Sequence, residues 1–261
     1  MVAAITQKAI EKITLEHYSY LESTLRYARF MTDETANHWR SLLGEDVVLL
    51  THGQFTARIA ASFFHHDADK LSSRDQTRLE IAALIHDWGE IMIGADGVGD
   101  ISYDQKTRAH EASEAEIFNR VIGTIANRRA QRTLKSVYKG IALDQRSRLC
   151  RVFNAIERLG YLHTALRAFQ GDQDGRRIAN WRGLVGNVLA NQLTCLLAHG
   201  QTYHTVANFL RLHARDISLM AQETTPLPVP LDRHGSAAFD RAALLHAAEV
   251  WRASDYYSLQ A

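Results

Sequence analysis

The chain has 261 residues, enough for one large domain or for a domain with an added helical layer, and either size buries a substantial core. Thirty basic against 29 acidic residues leave a formal charge of +1, so no overall field draws the protein to a nucleic-acid polymer or an anionic membrane; a small anionic ligand needs only local cations. Two cysteines, Cys150 and Cys195, exclude a disulfide framework and a cysteine-rich zinc site; they fit a reducing, cytoplasmic setting in which both are buried small residues.

The N-terminal stretch "MVAAITQKAIEKITLEHY" lacks the uninterrupted apolar core of a signal peptide, and no segment approaches the roughly 18 consecutive apolar residues of a membrane span. The prolines are confined to Pro226, Pro228 and Pro230, so the long run before them contains none of the strongest helix breaker. This predicts an all-α body. The first core helix is "LLTHGQFTARIAASFF", with Leu50, Phe55, Ile59 and Phe63 as its apolar face. His65 and His66, before Asp67, fall in a polar link and are expected at the surface. "SSRDQTRLEIAALIHDW" opens on a cap signal from Ser72 to Asp75 and places Ile81, Leu84, Ile85 and Trp88 on one face. It should end near Gly89. "LCRVFNAIERLGYLHTALRAF" repeats the pattern through Leu149, Val152, Phe153, Ile156, Gly160 and His163, and these three helices are expected to share a core.

"QGDQDGRR", residues 170–177, is polar with two glycines and marks the best internal boundary. It separates an N-terminal helical domain, 1–170, from a C-terminal helical extension, 171–261, expected to pack on it. In the extension "LVGNVLANQLTCLLAHG" and "TYHTVANFLRLHARDISLM" read as two helices and "SAAFDRAALLHAAEVWRAS" as a last one. Trp39, Trp88, Trp181 and Trp251 are expected as core or interface anchors, because no basic stripe accompanies them for base stacking. There is no internal repeat and no low-complexity segment.

Thirteen histidines are more than one site uses, so spacing has to choose among them. An ion held by imidazole and carboxylate needs several such groups converging from different elements of a rigid scaffold. His52 lies near the start of the first core helix. His86 and Asp87 close the second, where the break at Gly89 lets neighbouring side chains turn toward one point. Glu157 lies midway through the third. No nucleophile elbow is present, and "GADGVGD" lacks the Lys-Ser/Thr ending of a phosphate-binding loop.

An isolated histidine, then "HD" after an apolar helix, then a later helical carboxylate resembles the HD-domain metal-dependent phosphohydrolases. "HDWGE" is similar to the His-Asp-x-x-Glu segment of their nucleotidase branch, "THGQFTARIA" to its first ligand helix, and "IERLGYLHTAL" to its last. The resemblance covers residues 38–170 and leaves the C-terminal part unexplained. It implies an HD-type helical bundle that hydrolyses a nucleotide or related small phosphorylated molecule. His52, His86, Asp87 and Glu157 would bind a divalent ion (Mn, Co, Fe, Ni, Zn or Mg) that acidifies a bound water. The family's last ligand is an aspartate; here Glu157 takes its place, and a shift of three residues would choose Asn154 instead. Glu90 would be the general acid or base, assisted by Asp96 or Asp100 from a loop where the family has a single Gly-Asp. Lys106, Arg108 and Arg158 are the nearest cations for phosphate. His110 resembles the extra histidine of binuclear relatives, but fits better as a surface residue on a charged helix beside Glu111, Glu114 and Glu116. Two further readings stay open: a di-iron oxygenase of a small organic substrate, and a non-catalytic regulatory or binding module. A homo-oligomer is compatible with all three.

Overall fold

The computed structural model describes residues 1–26, 47–93, 107–143, 146–171, 185–225 and 241–260. It is all-α: among these residues there is no strand, and the paired extended contact is an isolated antiparallel bridge between Leu25 and Val48. Among them, no helix is long and apolar enough to cross a membrane.

The helices form two compact units. The first contains α1 (Val2–Glu16), α2 (Tyr18–Ser23), most of α3 (Leu49–His66), α4 (Ser73–Ile85), a 3-10 turn at Trp88–Glu90, α5 (Arg108–Gly123), α6 (Arg128–Val137), a π-helical segment at Tyr138–Leu143, and α7 (Arg148–Gly171) as far as Asn154. Its core is built on Ile13, Leu21, Phe63, Leu79, Ile85 and Phe118, each at most 2 % exposed, and burying one such side chain contributes about 1.5–3 kcal/mol. The second unit holds His65–Ala68 and everything from Ala155 onward. It includes a π segment at Leu189–Leu193, α8 (Thr194–Gly200), α9 (His204–Leu212), α10 (Ala214–Thr224) and α11 (Arg241–Arg252). The units divide inside α7, upstream of the polar stretch at 170–177.

Local chemistry explains the main boundaries. The Ser72 hydroxyl accepts from Asp75 N at 3.2 Å while the Asp75 carboxylate accepts from Ser72 N, so α4 starts on the reciprocal cap read from the sequence. In α3 the expected apolar face is displaced. Leu50, Phe55 and Ile59 are half-buried, whereas Leu49, His52, Gly53, Thr56 and Ala60 face inward with Phe63. Small residues make that face because α3 runs close to the end of α4: a Cβ on Gly53 would stand 3.2 Å from the Leu84 carbonyl oxygen. The segment "TYHTVANFLRLHARDISLM" forms two helices rather than one, broken at His213. Asp67, fully buried, caps α9 by accepting from His204 N at 2.7 Å and Thr205 N at 3.0 Å, and from the Thr205 hydroxyl at 2.7 Å. His65 and His66 are exposed, as expected, but they form the last turn of α3 rather than a link between helices. Cys150 is buried and Cys195 half-buried. Trp88 and the fully buried Trp251 are core residues, and Trp251 Nε1 donates to Ser218 Oγ at 2.8 Å. Trp39 and Trp181 lie outside the described residues.

Candidate metal centre

The site is assembled within the first unit. α3 carries His52 inward, α4 ends in the His86–Asp87 pair, and the Trp88–Glu90 turn brings Glu90 back beside Asp87, its backbone N donating to Asp87 O at 2.9 Å. Gly89 permits this turn: a Cβ there would lie 2.7 Å from the Glu114 carbonyl oxygen of α5, so only a glycine lets the turn rest on that helix.

His52 Nε2 stands 3.4 Å and His86 Nε2 3.1 Å from Asp87 Oδ2. The three ligand atoms all lie within 4.8 Å of one another. A first-row ion bonded at about 2.1 Å holds neighbouring donors about 3.0 Å apart in an octahedron and about 3.4 Å apart in a tetrahedron, so the two measured separations match coordination edges. Hydrogen bonding adds a second argument. His86 Nδ1 lies 3.0 Å from Ala83 O, and a carbonyl only accepts, so Nδ1 is the protonated nitrogen and the Nε2 lone pair faces Asp87. Asp87 Oδ2 is itself a buried acceptor, with the Arg26 guanidinium 3.2 Å away on one side and the two imidazoles on the other. Two acceptors 3.1 Å apart are relieved by a cation between them. The residues present fit a divalent ion.

Arg26, only 4 % exposed, is a site residue that spacing did not reveal. Its Nη1 lies 3.2 Å from Asp87 Oδ2 and donates to Glu90 Oε2. Its backbone is held from both sides: Arg26 N donates to Val47 O at 2.7 Å, Leu49 N to Thr24 O at 3.2 Å, and Met92 N to Thr24 Oγ1 at 3.2 Å. The guanidinium is therefore fixed to the chain that leads into His52 and to the chain that leaves Glu90. Burial opposes the Asp87 charge, but the Arg26 guanidinium beside it outweighs burial and holds its pKa well below the usual carboxylate range. His52 is pushed well below the ordinary histidine value by burial, then by the Arg26 charge, with Asp87 pulling the other way, so it is a neutral imidazole at pH 7. Glu114, grouped in the sequence with a charged surface, is buried, while Glu111 and Glu116 are exposed. Its spacing to Ile117, Phe118 and Val121 on the inward face of α5 was the available signal. The Tyr138 phenol, stacked on Phe118 with ring centroids 3.8 Å apart, keeps its proton because of burial first and then Glu114, Asp87 and Glu90. Those three carboxylates thus act on one phenol.

The structure brings together His52, His86, Asp87 and Glu90. Glu157 belongs to the second unit, half-buried, and accepts from the Tyr161 hydroxyl at 3.4 Å; Asn154 is the last residue of the first. Arg158 donates to Asn191 O at 2.9 Å and to the Gln192 side chain in the second unit. Arg108 is exposed at the start of α5. His110 Nδ1 accepts from Thr107 N at 3.2 Å and completes the cap of α5, which gives this histidine a structural task. Asp96, Asp100 and Lys106 lie outside the described residues. Comparison with protein-family models, with curated proteins and with solved structures gives no match.

Proposed function

We propose that the protein is a metal-dependent phosphohydrolase acting on a nucleotide or a related small phosphorylated molecule. The observation that carries this reading is the convergence of His52 Nε2, His86 Nε2 and Asp87 Oδ2, with Glu90 one turn beyond. His52, His86 and Asp87 would hold the ion. When bound, a divalent ion acidifies water and polarises a phosphoryl oxygen. Asp87 contributes a carboxylate that stays ionised, and the Ala83 carbonyl fixes the His86 tautomer so that Nε2 points into the site. Glu90, which accepts from Arg26, would take or return the proton. Arg26 supplies a buried guanidinium, the fork that suits phosphate oxygens as well as carboxylates.

The test is metal analysis joined to a phosphate-release screen of nucleoside mono-, di- and triphosphates with Mn, Co, Mg and Ni. Asp87→Ala should lose both metal and turnover. Glu90→Gln should keep the metal and lose about 10²-fold or more of kcat, the usual range for a general acid or base. Equal behaviour of wild type and Asp87→Ala with every ion sinks the proposal. That result would favour the second reading, a non-catalytic module, for which Arg26 is the motivating observation: it already places a positive charge against Asp87 and Glu90. Two iron atoms per chain without phosphate release would favour oxidation of an organic substrate instead.

A further inference from the structure

The whole-chain charge of +1 conceals a strong local imbalance. Between Glu116 and Asp144 the sequence holds no acidic residue, but it holds Arg120, Arg128, Arg129, Arg132, Lys135 and Lys139. Five of these lie on α6 and the π segment that continues it. At about 100° per residue, Arg128, Arg132, Lys135 and Lys139 fall within roughly 60° of one another, with Arg129 at their flank. They form a line about 16 Å long at 1.5 Å per residue. The opposite face, Ala130, Leu134, Val137 and Ile141, is buried, so the helix is anchored and the stripe is presented outward. All five cations are exposed, and among the described residues their side chains make no ion pair or hydrogen bond.

Two features set the stripe apart from an ordinary solvated face. Its members are like-charged neighbours at spacings of three and four, which repel one another on a helix, and no acidic residue is interleaved. Arg128 and Arg129 also occupy the first turn of α6, where the helix dipole disfavours cations; Asn127 Oδ1 already satisfies Arg129 N at 3.0 Å and Ala130 N at 3.1 Å. Both arrangements cost stability unless an anion meets them.

We infer that this face of α6 binds a nucleic-acid strand through its phosphate backbone. A single file of cations matches a linear polyanion rather than a point charge. The apolar face of α6 is committed to the core, so the helix has no hydrophobic side to insert into a bilayer. No aromatic residue shares the stripe, so contact is electrostatic and independent of sequence. This inference does not rest on the hydrolase reading.

Fluorescence anisotropy of the full chain with a labelled single-stranded RNA of mixed sequence tests it. Four neutralised phosphates give a slope of log K against log salt of about −2.8, so affinity should fall about fifty-fold from 50 to 200 mM salt. Replacing Arg132 and Lys135 by Gln should reduce that slope by about 1.4, and replacing all four stripe residues by Gln should abolish binding. The fourfold variant should melt no lower than wild type, since it relieves repulsion. Arg252→Gln, an exposed cation on α11, should bind as wild type does. The inference is overturned if RNA fails to bind at 50 mM salt, if the fourfold variant binds unchanged, or if vesicles rich in phosphatidylserine or poly-glutamate bind the stripe while RNA does not.

Discussion

Arg26 Nη1 meets carboxylates of both Asp87 and Glu90, and all three side chains are largely out of water. A buried ion pair adds little over an apolar replacement of the whole group, but removing one partner leaves charge uncompensated, at a cost of about 3–5 kcal/mol. Arg26→Met should therefore lower the unfolding free energy of the metal-free protein by that amount in denaturant titration. Arg26→Lys should lie between, because it keeps the charge and loses the fork. A Met variant as stable as wild type would mean that Asp87 and Glu90 tolerate burial unaided. His52, His86, Asp87 and Glu90 were legible in advance, since a helix that ends on His-Asp beside a glycine constrains where those side chains go. Arg26 was not: nothing in "STLRYARF" marks it, and the bridge from Leu25 to Val48 is what brings it to the site.

Between elements, two glycines set how closely backbones approach, and they differ in what a methyl group would meet. At Gly89 a Cβ would lie 2.7 Å from a backbone oxygen of α5, a contact that forces the Trp88–Glu90 turn to move. Overpacking of this kind costs about 1–3 kcal/mol, more than the 0.4–1 kcal/mol recovered from the unfolded chain. At Gly53 the distance is 3.2 Å, and the gain of about 1 kcal/mol in helix propensity offsets much of the strain. Gly89→Ala should thus destabilise clearly while Gly53→Ala stays within about 1 kcal/mol of wild type, as measured by thermal unfolding. The reverse order would show that α3, not the turn, is the unyielding contact. The capped start of α4 was readable because a reciprocal cap is local chemistry. The true inward face of α3 was not, because Gly53 and Ala60 carry little hydrophobic signal and mark proximity instead.

At the scale of the whole molecule, three histidines among the described residues sit below the ordinary value of 6.5: His52 through burial and then Arg26, His199 through burial and then Arg158, and His213 through burial against Asp216. A histidine whose folded pKa is depressed stays neutral while its unfolded counterpart takes up a proton, so stability is full above pH 6.5 and falls as pH drops below it. His52 alone supplies a slope of up to about 1.4 kcal/mol per pH unit. Asp87, depressed from 3.8, holds its contribution above that pH and loses it only in stronger acid. The urea midpoint of the metal-free protein should accordingly decline between pH 7 and 5, and His52→Gln should flatten the decline. A midpoint constant over that range would contradict the neutral, buried His52. The all-α class, the helix ends at cap residues and the succession of His52, His86 and Asp87 could be read directly, because each depends on periodicity or on neighbours within a few positions. The division inside α7, the burial of Glu114, the cationic line on α6 and the place of Arg26 depend on which faces meet and which stay exposed. That choice rests on contacts between residues far apart in the chain, which composition averages away and local spacing does not encode.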